Sequence, residues 1–191
     1  MKRSTIILLI VVGIILFGAL SVYSFVKGTY NAIVRLDETV AGGWAEVENN
    51  LQRRFDLIPN LVNTVKGFAA QEKDILLGVT EARAKVGGAG NIPDKMAAEN
   101  QLSGALSRLL MVVENYPQLK SDGNFQSLQD ELAGTENRIA VARKRYNESV
   151  KAYNMTIRQF PQNMIANNFG FEKKEFFQAP EGAETVPTVE F

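Results

Sequence analysis

From Ser4 to Val26 the chain reads STIILLIVVGIILFGALSVYSFV, 23 positions without a charged residue. As a helix rising about 1.5 Å per residue this run extends roughly 34 Å, enough to cross a ~30 Å hydrocarbon layer. Lys2 and Arg3 precede it, Lys27 ends it, and Tyr23 and Phe25 stand where interfacial aromatics belong. A cleaved secretory signal is the competing reading, with Ala19-Leu20-Ser21 as a permissible site. Signal cores run about 7–15 apolar residues, however, and this one is longer. The expectation is a basic flank at 1–3 and a retained transmembrane anchor at 4–26, with the lipid bilayer as the partner of that segment. Basic residues lie on both sides of the span, Lys2 and Arg3 before it, Lys27 and Arg35 after it. Their slight bias puts the amino terminus in the cytoplasm and the domain that follows outside it.

Composition then removes whole classes of chemistry. The chain has no histidine and no cysteine. That excludes an imidazole general base, a Ser-His-Asp triad, a phospho-accepting histidine, a thiolate nucleophile, a zinc knot and a disulfide. A carboxylate-bridged di-iron centre falls with histidine, because such bundles use Glu-x-x-His pairs. No loop carries the dense acidic set that calcium or magnesium takes. No cofactor or metal is therefore expected. The 21 basic and 21 acidic residues cancel, which leaves no basic surface for nucleic acid.

Beyond the anchor the apolar residues keep a stride of seven. One column is Ile33, Val40, Val47, Arg54, Leu61, Phe68, Ile75 and Ala82; the other is Asp37, Trp44, Leu51, Ile58, Val65, Glu72, Val79 and Val86. Only Arg54, Asp37 and Glu72 are not apolar, so the spacing predicts one long helix, about 30–86, with a narrow buried seam. Pro59 removes a backbone donor and should kink this helix near Phe55–Leu57, and Gly42-Gly43 weakens it nearer the membrane. Pro59, Gly42 and Gly43 are accordingly the candidate hinges. GGAGNIPD, residues 87–94, breaks the chain as a linker; it lacks the preceding strand and following Gly-Lys-Ser/Thr of a phosphate loop. A second helix, about 94–116, puts Met96, Leu102, Leu106, Leu109 and Val113 on one face and stops at Pro117. A third, about 124–160, ends at Pro161. A short element, 161–177, follows, then a flexible acidic tail at 178–191. The fold class is all-α: a transmembrane helix followed by an up-and-down antiparallel bundle of three long helices, with a possible short fourth.

The third helix raises a question of its own. Asn147 and Asn154, each following a tyrosine (Tyr146, Tyr153), stand one heptad apart on or beside its seam. Buried asparagines set helix register at some cost in stability; the sharper alternative is a polar groove for a ligand or another chain. Arg54 and Glu72 either pair across the bundle or carry their charges out along an apolar stem. A catalytic carboxylate would need a second acid or base nearby, which spacing does not identify. Phe169, Phe171, Phe176 and Phe177, in FGFEKKEFF, either cap the open end of the bundle or form an aromatic docking segment for a partner, another subunit or a membrane surface.

Three phrases in order, WAEVENNLQRRFDLIPNLVNTVKGFA (44–69), ENYPQLKSDGNFQSLQDELAGTENRIAVARKRYNESVKAYN (114–154) and the FP…GF…FF pattern from Phe160 to Phe177, resemble the LemA family of bacterial membrane proteins. The resemblance implies a single N-terminal span in a bacterial inner membrane, an all-α domain and no established enzymatic activity. The expected function is a non-enzymatic membrane-anchored scaffold or adaptor acting through homo-oligomeric contacts or contacts with other membrane proteins. The alternative is a sensory module with a small ligand between helices, in a pocket lined by Tyr146, Asn147, Tyr153 and Asn154.

Overall fold

The N-terminal apolar run and the first part of the apolar seam share one helix. In the computed structural model, which describes residues 3–177, α1 runs from Arg3 to Phe68. It is the one helix among the described residues that is long and apolar enough to cross a membrane. The remaining elements are α2 (Lys73–Gly88), α3 (Ile92–Val113), α4 (Pro117–Lys120), α5 (Gly123–Arg158) and α6 (Gln162–Asn168), with no strand among the described residues. The all-α reading holds.

Local chemistry explains the ends. Asn91 caps α3: its Oδ1 accepts the Asp94 N–H at 2.8 Å, and Pro93 sits in the first turn, where a missing donor costs nothing. Asp122 serves α5 in the same way, accepting the Phe125 N–H at 2.9 Å. Pro117 opens α4 and Pro161 precedes α6.

One expectation about the first helix needs correction. It does not run to 86; it stops at Phe68, and a turn over residues 69–72 leads into α2. The apolar columns keep their phase across this turn: Leu61 and Val65 before it and Val79, Ala82 and Val86 after it are all buried. Periodicity therefore could not reveal the break. Phe68, at a seam position, is instead exposed. Pro59 lies inside α1, which continues through it. The carbonyl that a residue at position 59 would ordinarily engage belongs to Phe55, four residues back. Arg83 Nε donates to that carbonyl at 3.1 Å, and its guanidinium lies 3.8 Å over the Phe55 ring. A side chain of α2 thus occupies the acceptor that proline left open.

The chain divides into two compact units, Met1–Gly42 with Glu148–Lys174, and Gly43–Asn147 with Glu175–Phe191, each as far as the described residues reach. In the first, Thr29, Ile33, Val40, Val150, Tyr153, Ile157, Ile165 and Ala166 are buried. The second holds the main core, in which Ile58, Leu61 and Val65 of α1, Val79 and Val86 of α2, and Leu102, Leu106 and Leu109 of α3 form one cluster closed by Leu119 and Phe125.

Candidate functional site

The sequence-derived candidates separate into three settings. In the second unit, Arg54 of α1 is buried and reaches two other helices. Its Nη2 donates to Ser103 Oγ at 2.9 Å, and its Nη1 lies 2.9 Å from Glu136 Oε2 and 3.7 Å from Glu99 Oε2. Arg54 therefore pairs across the bundle. Glu99 was not among the candidates, yet it is 0% exposed, and neither of its carboxylate oxygens has a hydrogen-bond partner among the described residues. Burial pushes its carboxyl above the ordinary value of 4.5, and the Coulombic pull of Arg54 and Arg143 opposes that rise without cancelling it. A 3.7 Å contact without a hydrogen bond is too loose to offset full desolvation. Burial likewise lowers the affinity of Arg143 for its proton, against the attraction of Glu136. A signal for Glu99 existed in the sequence: it follows Met96 by three residues and precedes Leu102 by three, which places it on the apolar face of α3.

Glu72 takes a different part. It stands at the N-cap position of α2, and its Oε1 accepts the Tyr116 hydroxyl at 2.6 Å while Gln71 Nε2 donates to the same hydroxyl oxygen at 2.9 Å. The bond to Glu72 holds the Tyr116 phenol protonated, raising its pKa. This small network pins the turn at which the long seam changes helix.

The asparagines hold the chain's own C-terminal segment. In the second unit, Asn147 Nδ2 donates to the Phe177 carbonyl at 3.0 Å and Asn147 Oδ1 accepts the Phe177 N–H at 2.7 Å. Beside it the Tyr146 hydroxyl donates to the Glu175 carbonyl at 3.0 Å. Phe177 is buried, with the Arg143 guanidinium 4.2 Å above its ring, and Tyr146 meets Trp44 edge-on at 5.6 Å. In the first unit, Asn154 repeats the arrangement on Lys174: Nδ2 to the carbonyl at 2.8 Å, Oδ1 from the N–H at 2.9 Å. Lys174 Nζ pairs with Asp37 at 2.9 Å and lies 5.6 Å from the Tyr153 ring. Burial, then Asp37, raises the Tyr153 phenol pKa. Each carboxamide thus satisfies one residue's donor and acceptor together, as a neighbouring strand would.

The aromatics of residues 169–177 divide likewise. Phe169 and Phe171 pack on Tyr30 with ring centroids 4.9 and 5.6 Å apart, Phe177 is buried, and Phe169 and Phe176 keep exposed faces. Gly42 and Gly43 lie inside α1.

Ser103 receives a proton donor from Arg54 rather than a base. Among the described residues no three carboxylates gather as a metal site would require. A cleft of about 340 Å³ does open beside Arg54, lined by Leu61, Leu106, Leu110, Leu132 and Glu136 among others.

The family model of the LemA family matches residues 43–191. The chain belongs to the LemA family. Among its relatives is Magnetosome protein MamQ 2 of Paramagnetospirillum magneticum, 28% identical over 201 aligned positions covering 90% of this chain and 74% of that protein. MamQ of Magnetospirillum gryphiswaldense is 29% identical, covering 82% and 67%. Protein LemA of Metamycoplasma hominis is 24% identical, covering 87% and 78%. With its N-terminal apolar helix, this LemA-family chain is a membrane-associated helical protein.

Proposed function

We propose that the protein is a non-enzymatic, single-pass scaffold or adaptor in a bacterial inner membrane, acting through contacts with further copies of itself or with other membrane proteins. The observation that carries this reading is the use made of the polar seam. Tyr146, Asn147 and Asn154 bind the backbone of Glu175, Phe177 and Lys174, so the groups best suited to greet a small ligand are occupied by the chain itself. The sequence supplies neither histidine nor cysteine for catalysis. On the second unit, Leu77, Met111 and Val141 are large apolar side chains left facing outward, the material of a protein contact. The relatives are named for a magnetosome and for no reaction. In this reading residues 27–177 form the working domain, outside the cytoplasm, with 178–191 as an acidic tail and Gly42-Gly43 and Pro59 as points of flexure.

A second reading is favoured by the cleft beside Arg54. Its largely aliphatic walls, with Ser103, Ser107 and Gln129 among them, suit a small, mainly apolar molecule. The two are separated by the mass of the full-length protein gently extracted from membranes, with crosslinking in the membrane as its partner measurement. A defined oligomer, or a reproducible crosslink to one other membrane protein, supports the scaffold. A monomer without crosslinks in both assays contradicts it and leaves the ligand-binding reading.

A further inference from the structure

The helical corner at the end of α5 leaves three large apolar side chains facing outward: Phe160 at 79% exposure, Met164 at 64% and Phe169 at 50%. They belong to the unit that contains the apolar run of α1. Their opposite side is anchored, since Ile165 and Ala166 of α6 are buried and Phe169 lies 4.9 Å, centroid to centroid, from Tyr30 of α1.

Tyr30 sets the height of this corner. It follows Val26, the last residue of the uncharged run, by four positions, or about 6 Å of helix. The headgroup layer on each face of a ~30 Å hydrocarbon core is roughly 5–7 Å deep. A ring stacked on Tyr30 therefore lies at headgroup depth whenever residues 4–26 span the bilayer. Thr29, one residue before Tyr30, is already buried, so the packing of this unit on α1 begins where the span ends. Phe169 at that depth, the exposed Phe160 and Met164 of the same corner and Arg158 in the last turn of α5 together have the composition of an interfacial contact: apolar groups for the acyl boundary and a cation for anionic headgroups.

We propose that the α5–α6 corner, through Phe160, Met164 and Phe169, rests in the headgroup layer of the same bilayer that α1 crosses, giving the protein a second lipid contact beside its span. The contact rests on the reading of residues 4–26 as a span. It also gives Tyr30, Phe169 and Phe171 a shared purpose, which is to hold the corner of the bundle at the membrane surface.

Because the chain has no cysteine, single cysteines introduced into the full-length protein can each carry one bimane label. The labels go at Phe160→Cys, Met164→Cys and Phe169→Cys. Leu16→Cys, inside the span, and Glu38→Cys, about 18 Å of helix beyond Val26 on the same unit, serve as references. In phosphatidylcholine–phosphatidylglycerol vesicles, lipids with a headgroup nitroxide should quench the three corner labels at least about twofold more than the label at Glu38, with aqueous iodide showing the reverse order. Quenching at Leu16 by chain-labelled lipid, together with corner labels that behave like Glu38, overturns the corner contact and leaves the span intact. Absence of lipid quenching at Leu16 overturns the span itself. Shielding of the corner from both quenchers that grows with the protein-to-lipid ratio assigns the patch to a second copy and also overturns the proposal.

Discussion

Two kinds of polar group stand among apolar ones, and they are resolved in opposite ways. Asn147 and Asn154 are neutral, and each exchanges two hydrogen bonds with one backbone residue, Phe177 and Lys174 respectively. Around Arg54 the groups are charged and the accounts do not close: Glu99 is wholly buried, stands 3.7 Å from its cation and has no hydrogen bond among the described residues. A carboxamide can complete a backbone partner without any charge to desolvate, whereas a buried carboxylate needs close, well-directed donors to recover what it loses on leaving water. The amide pairs accordingly add local order, and the charge cluster adds specificity of helix partners at a cost in stability.

That contrast sets the scale of its tests. The largest effect is expected for Arg54→Met, which leaves the buried Glu99 carboxyl without its nearest cation while Glu136 remains solvent-exposed; removing one partner of a buried charge pair costs about 3–5 kcal/mol. Chemical denaturation of the full-length protein in detergent reads this directly, and combining Arg54→Met with Glu99→Gln should restore part of the loss. Next come Asn147→Ala and Asn154→Ala, each stranding a backbone N–H and a carbonyl, for about 1–3 kcal/mol in the docking of the C-terminal segment. Limited proteolysis between residues 168 and 177 should accelerate in both variants. Were the two alanine variants as resistant as the parent, the amide pairs would be incidental.

The smallest effect concerns protons, and its sign separates the clusters. Folded Glu99 holds its proton more tightly than the unfolded chain, where the carboxyl has its ordinary value of 4.5. Its contribution therefore favours the fold below that value and is lost as the pH rises through the raised folded value. Glu99→Gln should thus raise the melting temperature at neutral pH and have little effect in mild acid. Asn147→Ala should show the same penalty at both. A Glu99→Gln variant less stable than the parent at neutral pH would mean that attraction to Arg54 and Arg143 outweighs desolvation.

Much of this was legible before any coordinates. The seven-residue stride located most of the buried seam of α1, and Asn91, Pro93, Pro117 and Asp122 bound helices whose ends lie within two or three residues of the expected ones. Arg54 and the asparagines stood out as polar residues in apolar columns. What stayed hidden was their partners. Glu99, Glu136 and Ser103 come from other helices, so no local spacing connects them to Arg54, and Arg83 answers Pro59 only because α2 folds back beside it. The turn at residues 69–72 was invisible because the apolar columns resume beyond it in phase. The partners of the asparagines stayed hidden because the segment they hold, residues 174–177, has no periodicity of its own to announce its place.

The most direct test of the central claim, that the polar seam is engaged by the chain's own C-terminal segment, is residue-resolved amide exchange on the full-length protein. The Lys174 and Phe177 N–H groups both donate to asparagine side chains, at 2.9 and 2.7 Å. Both should be protected although they lie outside any helix. Asn154→Ala should release Lys174 and Asn147→Ala should release Phe177. Rapid exchange at both amides in the parent protein would contradict the account and return Tyr146, Asn147 and Asn154 to the list of groups free to receive a ligand.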